Sequence, residues 1–188
     1  MHAPLLILLN GAPASGKSTT AQRWAAARPL ALALDVDVIR SMLGDWASAP
    51  AEAGLAARRL AVQMARSHLR EGRDVIVPQF VGAPGLAFIE ELASLSAEVG
   101  AVFVEAALSL PADAAARRFD ERARAAEATG TGRLLHGALD DPMRRLLKKH
   151  EDFIQSRPGI IVVPSADGDP AETAHRLSRA IDRLVRDA

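Results

Sequence analysis

The chain is 188 residues long, 49% hydrophobic but only 4% aromatic, with 23 basic and 23 acidic side chains and a formal net charge of zero. That length suits one compact domain over residues 1–188 rather than two, and the charge balance excludes a global positive field that would gather DNA or RNA without a local patch. The absence of cysteine excludes a disulfide framework, a thiolate metal site and a cysteine nucleophile, and with no signal-peptide pattern and no membrane-length apolar run the expected compartment is the cytoplasm.

In chain order the first element is the apolar run Leu5 to Leu9, which leads into "NGAPASGKST". An apolar run without alternation predicts a strand buried on both faces of a parallel sheet. The residues that follow, Gly11, Ala12, Pro13, Ala14, Ser15, Gly16, Lys17 and Ser18, match G-x-x-x-x-G-K-[ST] in full, and they open a helix predicted over Lys17 to Ala27. Gly11 and Gly16 let the backbone turn back so that its N–H groups converge on phosphate oxygens, and the helix N-terminus adds its positive dipole end. Lys17 is then expected on the β and γ phosphates, Ser18 on Mg²⁺ and Thr19 on the α phosphate. ATP and Mg²⁺ are the expected ligands.

A second strand is predicted over Leu30 to Leu34, followed by Asp35, Asp37 and Arg40 on a helix over Val38 to Trp46. Carboxylates at the carboxyl end of a parallel strand face the ligand crevice. Asp37 reads either as a helix cap or as the group that accepts the proton of a substrate hydroxyl. Asp35 is the candidate for Mg²⁺ through water, and Arg40, one turn on, for an anionic or polar part of the acceptor. The segment from Gly44 to Gly54 and the helix after it, predicted over Pro50 to Glu71, are expected to build much of the acceptor wall, with Trp46 reading either as its aromatic platform or as ordinary core.

The third strand, Val75 to Val77, runs into Pro78-Gln79-Phe80 where many phosphate-loop enzymes carry a carboxylate. Support for the metal therefore falls to Asp35 or Asp37, while Gln79 and Phe80 read as acceptor-pocket residues or as strand-end packing. A helix over Pro84 to Val99 and a strand over Ala101 to Leu108 follow. The next helix, Ala112 to Ala128, enters "RRFDERARAAEATGTGRLLHG", residues 117–137, which reads as a lid or as a solvated helix face and loop. Arg118 and Arg122 share one face of it and Arg133 sits in its glycine-rich loop; a cation delivered by closure stabilises the transferring phosphoryl group, and Arg122 is the first choice.

Helices over Asp140 to Ser156 and Pro170 to Arg186 flank a last strand, Ile160 to Val163, and a turn, Pro164 to Asp169. Sequence alternation of strands and helices gives a five-stranded parallel α/β sheet with helices on both faces. Arg144, Arg145, Lys148 and Lys149 form a basic cluster that reads as a solvated helix face. The five histidines lack metal-ligand spacing and read as surface or packing residues.

"NGAPASGKST", "DVDVIRSML" with Asp37-x-x-Arg40, and Arg118-x-x-x-Arg122 together resemble the AAA_33-type P-loop kinases, which include chloramphenicol phosphotransferase, zeta toxins and 5′-hydroxyl polynucleotide kinases. Asp74 to Leu92 resembles the tunicamycin-resistance proteins of the same superfamily. The resemblance implies a P-loop fold with a small helical lid, Asp37 as the acceptor-activating base, Arg122 as the lid arginine with Arg118 beside it, and the turn after the last strand packing adenine. No N/T-K-x-D segment is present to read guanine, and the length excludes a large ring-forming ATPase. The leading expectation is a kinase for a small-molecule hydroxyl (an antibiotic, nucleoside or sugar nucleotide), monomeric or homodimeric. A polynucleotide 5′-kinase and a nucleotide-hydrolysing switch without an acceptor are the alternatives.

Overall fold

The computed structural model describes residues 3–110, 114–115, 117–118, 121, 124, 141–166 and 169–187. Five strands, β1 (Leu5–Gly11), β2 (Leu32–Ala33), β3 (Val75–Pro78), β4 (Val102–Ser109) and β5 (Ile161–Pro164), form a parallel sheet in the order β2-β3-β1-β4-β5. Among the described residues there are six α-helices: α1 (Lys17–Ala26), α2 (Val36–Ser41), α3 (Pro50–Arg70), α4 (Leu86–Val99), α5 (Asp141–Ser156) and α6 (Pro170–Asp187). None of them is long and apolar enough to cross a membrane. The expected α/β P-loop architecture is present.

Alternate residues of β1 point to opposite faces, and both faces are covered, which is why the run is apolar throughout. Leu6 and Leu8 pack with Val75 and Val77 under α3 and α4, whereas Ile7 and Leu9 pack with Ile76, Val104 and Ala106 under α1 and α6. Burying each such side chain contributes about 1.5–3 kcal/mol. On α3 the inward positions Ala53, Ala57, Ala61 and Ala65 recur every fourth residue, so a ridge of methyl groups lies against the sheet. Arg66 and Arg70 of α3 both pair with Glu98 of α4, and Arg157 forks onto Glu105 of β4 with contacts of 2.9 and 2.6 Å.

Two predicted elements differ from the sequence reading. The second strand is two residues long rather than five, because Pro29 and Leu30 turn the chain, with Leu30 at φ 57 and exposed. The helix after it begins at Val36, not Val38, and ends at Ser41, not Trp46. Asp35 starts it by accepting the Asp37 N–H at 2.9 Å, as an aspartate N-cap does.

Parallel strands put every strand's carboxyl end at one edge of the sheet. Chain connections leave β1 toward β3 on one side and β4 lies on the other, so this edge has its topological switch point at β1.

Candidate functional site

The loop after β1 lies at that switch point. Gly16 is left-handed, at φ 88, and Ala14 adopts φ 62, a conformation alanine takes only under external constraint. A Cβ at Gly11 would stand 2.6 Å from Ser15 Oγ, so any larger residue there would push the Ser15 side chain aside. Ser15 N donates to Ala12 O at 3.1 Å to close the turn. The first turn of α1 has no side-chain cap and no acidic residue, so its N–H groups remain open toward the loop. Lys17 folds back over the loop, its Nζ 3.2 Å from Ala12 O. Ser18 is half-buried, Thr19 is exposed, and Ser15 Oγ is buried without a hydrogen-bond partner.

On the β5 side, Ser165 ties this loop to the last turn. Its hydroxyl donates to Ser15 O at 3.1 Å and accepts from Arg118 at 3.3 Å, while Arg118 also donates to Ala166 O at 3.4 Å. Gly16, Thr20, Arg117, Arg118, Ser165 and Thr173 are among the walls of a cavity of about 310 Å³. Arg118, expected from the sequence beside Arg122, lines this cavity. Arg122, Arg133 and most of residues 117–137 lie outside the described residues.

On the other side β3 lies between β1 and β2, so Gln79 and Phe80 directly adjoin the loop and Asp35 and Asp37 are one strand further away. Gln79 is 9% exposed, and its Oε1 is buried with no hydrogen-bond partner. Phe80 stacks on His150, ring centres 4.7 Å apart. The Asp37 carboxylate is 62% exposed and pairs with Arg40 at 3.1 Å. Arg40 also covers the half-buried Trp46 at 5.1 Å, which makes Trp46 neither core nor a bare platform. Asp35 has one carboxylate oxygen committed to capping α2, a structural use that the sequence reading gave to Asp37.

Two residues were missed as site components. Asn10 is fully buried at the end of β1, and His150 of α5 is 6% exposed with Nε2 3.0 Å from Asn10 Oδ1. Burial, reinforced by the charge of Lys17, pushes the His150 pKa down to about 4, so the ring is neutral at pH 7. A polar residue closing the apolar run "LLILLN" was the available signal, since a buried amide requires partners.

The AAA domain family AAA_33 matches residues 6–136. No curated protein matches the sequence significantly. Solved structures share the fold at low identity. The Mycobacterium tuberculosis APS kinase CysC, in complex with AMPPNP and APS, superposes with a TM-score of 0.65 at 20% identity, covering 97% of this chain and 99% of that one. For a gluconokinase from Sinorhizobium meliloti 1021 the values are 0.63, 14%, 100% and 97%. For the Deinococcus radiodurans tunicamycin resistance protein they are 0.63, 15%, 96% and 96%.

Proposed function

Because the chain belongs to the AAA domain family AAA_33, with a kinase-like P-loop fold, we propose that it transfers the γ-phosphoryl group of ATP to a hydroxyl of a small molecule. The observation that carries this reading is the loop itself: left-handed Ala14 and Gly16, an uncapped α1 and Lys17 folded over the turn make a cradle for a polyphosphate. Residues 11–19 hold the phosphates, and the 310 Å³ cavity beside Arg118 takes the nucleoside end.

Mg²⁺ fits this donor set as an ion carried by the nucleotide. Among the described residues no three carboxylates or imidazoles cluster to hold a metal, and Mg²⁺ commonly needs only one or two protein ligands beside phosphate oxygens and water. Ser18 would supply a hydroxyl ligand to the ion, which when bound would offset the negative charge of the phosphate oxygens. Asp35, with one oxygen held by the cap, supports its water shell at most from the outside.

Asp37 accepts the proton of the acceptor hydroxyl as its oxygen bonds to the γ phosphorus and the bond to the bridging β–γ oxygen breaks, releasing ADP. Arg40 pairs with the Asp37 carboxylate and orients it, and with Gln79, Phe80 and Trp46 it recognises the acceptor. Residues 117–137 act as the lid, with Arg122 brought to the γ phosphate. Of the basic cluster on α5, Lys148 pairs with Asp152 at 2.6 Å, which leaves less charge for a nucleic-acid track and favours a small acceptor.

The test is a screen of nucleosides, sugar nucleotides, antibiotics, other polyols and 5′-hydroxyl oligonucleotides with γ-labelled ATP. Label on a small acceptor is expected. Label on oligonucleotides alone, or only in inorganic phosphate across the panel, would contradict the proposal.

A further inference from the structure

Asn10 is a polar side chain with zero exposure, at the end of a strand whose preceding residues, Leu5 to Leu9, are all leucine or isoleucine. Such a group is tolerated only when its hydrogen bonds are made inside the protein. Its Nδ2 donates to Val81 O at 2.8 Å. Its Oδ1 accepts from Gly11 N at 2.8 Å and from Val81 N at 3.0 Å, and His150 Nε2 lies 3.0 Å from the same oxygen.

These partners fix the chemistry of the histidine. With Nδ2 committed to a carbonyl and two backbone N–H groups on Oδ1, the amide orientation is determined, and an acceptor facing His150 requires a donor. The ring therefore carries its proton on Nε2. Burial and the nearby Lys17 charge keep the ring from taking a second proton at neutral pH. Phe80 covers one face of the ring and holds its plane.

We infer that His150 is a positioning residue for the phosphate cradle, acting through Asn10 to lock the backbone at Gly11, the connection at Val81 and helix α5 into one arrangement. The inference rests on the reading of residues 11–19 as a nucleotide site. Asn10 is the joint where three segments far apart in sequence meet: the strand that delivers the loop, the residues that follow β3, and a helix 140 residues away. The loop's first N–H at Gly11 is oriented by the same amide oxygen that His150 restrains. Loss of the imidazole leaves Oδ1 with two other donors, so no buried acceptor is orphaned and the fold survives. What changes is the freedom of the cradle, which then has to be ordered by the nucleotide when it binds.

The experiment is calorimetric titration of Mg²⁺-ADP into wild type, His150→Leu and His150→Gln, with Tm for each and histidine side-chain ¹⁵N spectra of the wild type. His150→Leu is expected to weaken ADP about fivefold, the effect of one net hydrogen bond. His150→Gln, whose amide can donate to Oδ1, is expected within about twofold of wild type on the same grounds. The spectra are expected to show a neutral ring protonated at Nε2. Wild-type affinity in His150→Leu, equal losses in both variants, or a ring protonated at Nδ1 would overturn the inference, and the spectra decide if a variant fails to fold. A wild-type protein that binds no ADP would instead remove the nucleotide-site reading itself.

Discussion

At the end of β1 the chain from Asn10 to Lys17 is held by buried or part-buried hydrogen bonds from three directions, through Val81, His150 and Ser165. At the end of β2 the short helix α2 carries Asp37 with a 62% exposed carboxylate, flanked by Val38 and Met42 at 55% and 77% exposure. The two regions face different tasks. A cradle for polyphosphate works by converging backbone N–H groups, which have no rotamers to adjust, so the scaffold beneath them must be fixed in advance. An acceptor wall made of long side chains on an open helix can change its residues, or close on its ligand, without disturbing that scaffold. On the proposed reading, the fixed region would serve the nucleotide and the open region the acceptor.

Lys17→Ala is the largest blow to the first region, and ATP-dependent turnover should fall at least about a thousandfold, as expected when a charge on the transferring group is removed. Retained turnover would detach function from the cradle. Gly16→Val acts through the backbone alone, because the left-handed φ of 88 is strained for valine while the space around the position is open. It should weaken ADP roughly tenfold to a hundredfold, the equivalent of about 1–3 kcal/mol of strain, measured by titration. Arg40→Ala tests the second region: KM for the acceptor should rise about tenfold, the scale of a charged hydrogen bond, with ADP affinity unchanged. An equal loss of ADP affinity would mean that the two ends are not separable.

The smallest effect is a pH dependence. The His150 pKa is lowered in the fold from 6.5 to about 4, so below pH 6.5 the unfolded chain binds the extra proton first. The stability from a neutral ring is full above pH 6.5 and is lost as pH falls toward 4. That loss should be on the order of 1 kcal/mol. Denaturant titrations of wild type and His150→Leu across this range should differ in slope, and parallel curves would place the histidine outside the buried network.

The cradle was legible in the sequence because its parts are contiguous: eight residues contain the turn, the lysine and the hydroxyl, and their flanks contain the strand and helix. The Asn10–His150 joint was not, since its members meet only through the packing of α5 across the sheet. His150 carried no ligand spacing to mark it, and only the burial of Asn10 in an apolar strand hinted at a missing partner. The boundaries around β2 were misread for a local reason. Leu30 looks like strand by hydropathy, but the turn at Pro29 leaves it exposed, and Asp35 rather than Asp37 supplies the cap. The place of Gln79 beside the loop depends on strand order, which hydropathy does not encode.

The central claim is that the cradle serves a transfer to an acceptor and that Asp37 activates it. Its most direct measurement follows γ-label from ATP in the presence of the acceptor returned by the screen, in wild type and Asp37→Asn, with ADP affinity measured in both. The account predicts labelled acceptor with wild type, a loss of at least about a hundredfold in transfer with Asp37→Asn, the scale of general-base catalysis, and ADP affinity unchanged to within about threefold. Transfer at the wild-type rate by Asp37→Asn, or label released by wild type only as inorganic phosphate, would contradict it.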